Sequence, residues 1–83
     1  VHVGSLAVKL SPEKAANRSF LISPQGDIAA RYDKIHMFDV DLGNGESYRE
    51  SRNYRPGEQA VISDLPWGRL GLTVCYDLRF PAL

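Results

Sequence analysis

The sequence predicts a globular segment built mostly of β-strands and loops and closing on the start of a helix. Three observations lead there. Hydrophobic residues make up 43% and charged residues 24% of the chain, the balance of an ordinary soluble domain rather than of a disordered tail, a coiled coil or collagen. The apolar residues fall in short runs, the clearest of which alternates with a period of two. Proline and glycine punctuate the gaps between these runs. At 83 residues the chain is about half of an average domain, so one domain or a piece of one is the ceiling.

Residues 1–8 read as a strand, with small residues at Gly4, Ser5 and Ala7. A polar connection follows from Ser11 to Asn17, where Pro12 suits a turn or a first helical position. Arg18-Ser19-Phe20-Leu21-Ile22 and Ile28-Ala29-Ala30-Arg31-Tyr32 flank Ser23-Pro24-Gln25-Gly26-Asp27. That proline-then-glycine order predicts a type II turn and makes residues 18–34 a β-hairpin. From Asp33 to Glu58 periodicity disappears. The stretch holds four cations (Lys34, Arg49, Arg52, Arg55), His36 and six acids (Asp33, Asp39, Asp41, Glu46, Glu50, Glu58), and it is broken at Gly43-Asn44-Gly45 and Pro56-Gly57. Long irregular connections in compact domains are usually functional or disordered, and the embedded Phe38, Tyr48 and Tyr54 favour an ordered, functional one. Ala60–Leu65 reads as a strand, Pro66-Trp67-Gly68 as a turn, and Arg69–Val74 as the clearest strand, with Leu70, Leu72 and Val74 on one face. Tyr76–Phe80 is expected to begin a helix before Pro81.

Charge and cysteine content narrow the function classes. The 10 basic residues balance the 10 acidic ones, so the net field points neither to nucleic acid nor to an anionic membrane. No apolar run approaches the roughly 18 residues that span a bilayer. A single cysteine allows no internal disulfide and fits a reducing compartment, so the expected address is cytoplasmic. The chain opens at Val1 inside an apolar stretch and closes at Leu83 without a capped or paired last element. It is therefore expected to be an internal segment of a larger protein, residues 1–83 forming one domain truncated at both ends.

Four side chains could carry chemistry. Cys75 follows a buried strand where the chain turns into a helix, so nearby amide N–H groups would lower its pKa and could hold an oxyanion. The alternative is an inert buried thiol, since cysteine is among the most buried residue types. Its neighbours exclude some chemistries: a phosphatase-type loop needs arginine where Pro81 stands, and no second cysteine is present for redox or zinc work. His36 is a conceivable base. Lys34 leaves the hairpin and Glu50 lies in the irregular stretch; taken singly, either reads as an ordinary surface charge.

Taken together, these residues match a family. Arg31-Tyr32-Asp33-Lys34-Ile35-His36-Met37-Phe38-Asp39, then Arg49-Glu50-Ser51 with Pro56-Gly57, then Gly71-Leu72-Thr73-Val74-Cys75-Tyr76-Asp77-Leu78-Arg79-Phe80-Pro81 resembles the nitrilase superfamily of carbon–nitrogen hydrolases. Within it, the text looks most like the branch that contains omega-amidase and deaminated glutathione amidase. The resemblance covers essentially the whole chain, which corresponds to well under half of the family's catalytic domain. It implies an α/β fold, part of an α-β-β-α four-layer sandwich, that assembles as a homo-oligomer when full length.

It also implies a mechanism without metal or organic cofactor. Cys75 would be the nucleophile, Lys34 the cation beside the developing oxyanion, and Glu50 a carboxylate that supports the lysine or positions substrate; the backbone N–H of Tyr76 would be a second oxyanion donor. The family's general-base glutamate would lie upstream of Val1. Asp77, Arg79 and Phe80 are read as structural support, a charge pair fixing the turn and an apolar anchor, while Tyr54 and residues 43–58 are candidates to line the pocket. The expected partner is a small-molecule amide bearing a carboxylate. Alternatives are a non-catalytic homologue serving binding or assembly, and hydrolysis of nitriles or N-carbamoyl compounds by the same residues. The isolated segment is expected to be inactive and to expose the Leu70, Leu72 and Val74 face.

Overall fold

A computed structural model describes residues 1–41, 43, 45 and 47–83, and of residue 48 only the backbone. Asn44 and Glu46 of the polar loop, and the side chain of Tyr48, therefore lie outside the described residues. Strands β1 (His2–Lys9), β2 (Ala15–Ile22) and β3 (Ile28–Asp33) form a three-stranded antiparallel meander in the order β1-β2-β3. Strands β4 (Asp39–Asp41) and β5 (Ser47–Arg49) make a second, small antiparallel pair, and β6 (Ile62–Leu65) and β7 (Gly68–Gly71) a third. Short 3-10 helices span Glu50–Arg52 and Cys75–Arg79. Among the described residues no helix is long and apolar enough to cross a membrane.

The first hairpin sets the position of the later residues. Arg18 pairs with Asp33 and Ser19 with Tyr32 across β2 and β3. The Arg18 guanidinium grips both Asp33 carboxylate oxygens, at 2.5 and 2.9 Å, and this pairing raises the Arg18 pKa. The turn is not type II. Ser23 accepts from Gly26 N–H at 2.9 Å, which puts Gly26 at the fourth position, and Gln25, the residue a type II turn would force to positive φ, does not have one. Gly26 carries the positive φ, +88°, and the register slips between Leu21 and Ile22. A glycine in the left-handed region ending a turn with a one-residue slip is a bulged hairpin, which suits strand twist better than a type II turn does.

Other boundaries also move. β2 starts at Ala15, inside the stretch read as a connection, because Leu10 and Ser11 both donate to Lys14 C=O (3.0 and 3.1 Å) and close the turn early. The supposedly irregular 33–58 region contains β4, β5 and a 3-10 turn; three-residue strands are too short to show a period. The expected helix at 76–80 is a 3-10 helix from Cys75, with Asp77 N–H donating to Val74 C=O and Phe80 N–H to Asp77 C=O.

The predicted face of the last strand is correct, but its fate differs from expectation. Pairing with β6 stops at Gly71, yet Leu72 N–H still reaches Val61 C=O at 3.1 Å. Leu72 and Val74 then bury against Tyr32, with Ala30, Ile35, Val61 and Leu70 packed around them. The face expected to lie open is thus covered by the chain's own β3, at 4% exposure for Leu72 and 8% for Val74. Each such side chain contributes on the order of 1.5–3 kcal/mol by leaving water. This small core holds β3, which leads into Lys34, against the strand that leads into Cys75.

Candidate active site

Lys34 follows β3 directly and is held at three points. Its N–H donates to Asn17 C=O at 2.9 Å, its C=O accepts from Gly57 N–H at 2.8 Å, and its Nζ donates to Glu50 Oε1 at 2.5 Å. The side chain is 2% exposed, so its charge depends on that carboxylate: a buried ammonium without a partner is strongly disfavoured. Gly57 is needed where it stands, because a Cβ there would lie 2.2 Å from the Asp33 carbonyl oxygen.

Glu50 opens the first 3-10 turn, straight after β5. Its Oε1 accepts from Lys34 and also from Phe38 N–H at 2.8 Å. Two ties hold the turn. Lys14 Nζ donates to the carbonyls of Ser51 and Arg52 (2.5 and 3.0 Å), and Asp39 accepts from Ser51 N–H and Oγ (3.0 and 2.6 Å). The Ser51 hydroxyl, then its amide, keeps the Asp39 carboxyl below its ordinary pKa. Just beyond, Tyr54 bridges to Ala15, so it braces the loop against β2.

Cys75 is exposed and has φ +48°, the one positive value at a non-glycine position among the described residues. Such a backbone costs roughly 1–3 kcal/mol, and it persists only where the surroundings impose it. They do so through Asp77. Its buried carboxylate reaches back to Val74 N–H at 3.0 Å, and it accepts from Tyr32 Oη at 2.5 Å and from His36 N–H and Nδ1 at 2.9 and 2.8 Å. Burial pushes the Asp77 pKa up, but the bonds from Tyr32, His36 and Val74 outweigh it and hold the carboxyl below the usual range. Burial first, and the Asp77 bond second, raises the Tyr32 phenol. The turn's partner is therefore His36, through hydrogen bonds from its amide and ring, rather than Arg79, which corrects the expected charge pair. Phe80 is an anchor as expected, stacked on His36 with centroids 3.7 Å apart.

Cys75 and Tyr76 line an open cleft of about 440 Å³ with Phe38, Leu78 and Arg79. Lys34 and Glu50 are not among its lining residues. They connect to it through Phe38, whose amide binds Glu50 and whose ring meets Tyr76 edge-on at 5.1 Å. Tyr54 does not line it either. The sequence marks Phe38 only as an embedded aromatic, and assigns no role to Lys14 and no long reach to Asp77. The available signal for Asp77 was Tyr32, a phenol placed where β3 faces an apolar core and in need of an acceptor.

The sequence matches the carbon–nitrogen hydrolase family over residues 1–83. It is 52% identical to the deaminated glutathione amidase of Yersinia enterocolitica, over 100% of this chain and 30% of that protein. It is 39% identical to omega-amidase NIT3 of Saccharomyces cerevisiae, over 98% of this chain and 28% of that one. The crystal structure of the C. elegans NitFhit protein superposes with a TM-score of 0.83 at 34% identity, covering 96% of this chain and 20% of the other. The chain thus spans less than a third of the length of these relatives, and its strands and loops form a fragment of the nitrilase-type α/β sandwich. A match to the family along the entire chain, joined to a superposition of this quality, establishes that the chain belongs to the carbon–nitrogen hydrolase family.

Proposed function

We propose that the chain supplies the nucleophile and oxyanion side of a thiol amidohydrolase that releases ammonia from a small, carboxylate-bearing amide. The observation that carries this reading is the strained Cys75 at the cleft, tied through the Asp77 carboxylate to the segment holding the buried Lys34–Glu50 pair.

An amide carbonyl is a poor electrophile, so attack needs a thiolate and positive charge at the oxygen. The Cys75 sulfur bonds to the carbonyl carbon, and the C=O π pair moves onto oxygen. That oxygen must reach Lys34 Nζ, which Glu50 orients but which does not itself line the cleft, together with the Tyr76 N–H; the first amides of a helix have no carbonyl partner within it. Collapse breaks the C–N bond, the nitrogen leaves as ammonia with the proton taken from the thiol, and a thioester remains. Water then adds to the thioester, giving the carboxylic acid and the free thiol. The proton carrier in both halves is a carboxylate outside these 83 residues, by resemblance a glutamate upstream of Val1. Arg79, the cation lining the cleft, suits the substrate carboxylate. The names of the amidase relatives agree with such a substrate class.

The test is ammonia release by the full-length enzyme from short ω-amides with and without a carboxylate. Cys75→Ala and Lys34→Met are expected to abolish turnover while the fold persists, and Arg79→Met to raise KM for the carboxylated substrate alone. Turnover retained in Cys75→Ala overturns the reading.

A further inference from the structure

The two halves of the site lie on separate segments, and one side chain joins them. Asp77 is 1% exposed, and its two oxygens accept four hydrogen bonds. Oδ2 takes Val74 N–H, the residue before Cys75, and Tyr32 Oη, two residues before Lys34. Oδ1 takes the amide and Nδ1 of His36, two residues after Lys34. The carboxylate therefore grips the chain on both sides of Lys34 and on the near side of Cys75. No apolar contact could do this, because three of the donors have fixed directions and require an acceptor at one point. The same grip opposes relaxation of the positive φ at Cys75: were Cys75 to move to an ordinary backbone, Asp77 would shift relative to the extended Val74 and its buried bond from the Val74 N–H would be strained or lost.

We propose that Asp77 is a positioning residue, holding the Cys75 elbow in register with the Lys34–Glu50 pair rather than merely closing the 3-10 turn. His36 serves it as a brace, clamped between the Asp77 carboxylate and the face of Phe80. The inference rests on the proposed reaction, but one of its readouts does not.

The experiment uses full-length protein with Asp77→Asn, His36→Leu and His36→Asn, each verified as folded by circular dichroism. Asn keeps the shape of Asp77 but offers one acceptor oxygen where two are needed. His36→Asn retains a donor near the Nδ1 position, and His36→Leu does not. Two quantities are followed: ammonia release, and alkylation of Cys75 by iodoacetamide at neutral pH, which needs no substrate. The expected result for Asp77→Asn is a fall in kcat of roughly 100-fold, the scale for misplacing a reacting group by about 1 Å. KM should stay nearly constant, and the alkylation rate should change clearly. His36→Leu should move both quantities in the same direction by less, and His36→Asn should restore most of that loss. A folded Asp77→Asn variant with lowered melting temperature but wild-type kcat and alkylation rate would reduce Asp77 to a structural residue and overturn the proposal. Should Asp77→Asn fail to fold, wild-type behaviour of His36→Leu and Tyr32→Phe in both assays overturns it equally. If no variant or parent releases ammonia, the proposed reaction fails, and the alkylation rates still decide the positioning role.

Discussion

Replacing Gly57 by alanine is the sharpest perturbation the structure offers, because the conflict it creates is with backbone. The new Cβ would sit 2.2 Å from the Asp33 carbonyl oxygen and 2.9 Å from both Asp33 C and Cβ. Reaching ordinary contact requires a separation of about 1 Å or more, and neither side can yield freely. Asp33 is clamped by Arg18, and the Gly57 amide is bonded to the Lys34 carbonyl at 2.8 Å. Overpacking of this kind costs about 1–3 kcal/mol, and the strained or lost hydrogen bond adds about 0.5–1.5 kcal/mol. A destabilisation of about 2–4 kcal/mol is expected by urea denaturation of the full-length protein. Because the displaced Asp33 carbonyl leads directly into Lys34, kcat should fall by roughly 100-fold as well. Gly4→Ala is the control: nothing lies within 4 Å of its added Cβ and its φ is ordinary, so it should be close to neutral. A Gly57→Ala protein within about 0.5 kcal/mol of the parent, the range of ordinary surface substitutions, would refute the claim that this close approach fixes Lys34.

Further outcomes follow from the same contacts. Tyr32→Phe removes a donor from buried Asp77 and should cost about 1–3 kcal/mol in the same denaturation assay. The Tyr32 pKa is raised on folding, so its contribution is fully present below about pH 10 and fades as pH rises toward the folded value; the phenylalanine variant should lose less stability in alkali than the parent. Asp77 is held low, so its contribution is present above the unfolded value of about 3.9 and is lost as pH falls through the lower folded value. The acid arm of a pH–stability profile should flatten in Asp77→Asn. Lys14→Met breaks the ties to the Ser51 and Arg52 carbonyls and, at a partly exposed site, should cost about 1 kcal/mol in thermal melts. Glu50→Gln leaves the buried Lys34 ammonium without its countercharge, and should lower stability by several kcal/mol in urea denaturation, together with turnover.

How much of this was legible in the sequence depended on how local the cause was. The Pro66-Trp67 hairpin and the buried face of Leu72 and Val74 are set by alternation and turn residues a few positions apart, and they were readable, although the last strand itself ends at Gly71 rather than Val74. The bulged turn at Gly26 was half readable: the need for a positive φ showed, but its place in the turn depends on cross-strand register. β4 and β5 were invisible because a three-residue strand carries no period. Cys75 stood out by its position after the strand, whereas Lys34 and Glu50 read singly as surface charges and took their roles, with Tyr76, from the resemblance; no local rule foretold that Lys34 and Glu50 would meet. Asp77 was misread for the same reason. Its partners Tyr32 and His36 are 45 and 41 positions away, whereas Arg79 is only two positions on and so suggests a local charge pair.

Covalent capture is the direct test of the central claim. Full-length enzyme is quenched in acid during turnover of a carboxylate-bearing ω-amide, digested, and the peptides weighed. The account predicts an acyl adduct on the peptide containing Cys75, cleaved by hydroxylamine as a thioester is, and absent when Lys34 is replaced by methionine. An enzyme that turns over the amide while Cys75 stays unmodified at every quench time, and unaffected by prior alkylation of that thiol, would contradict it.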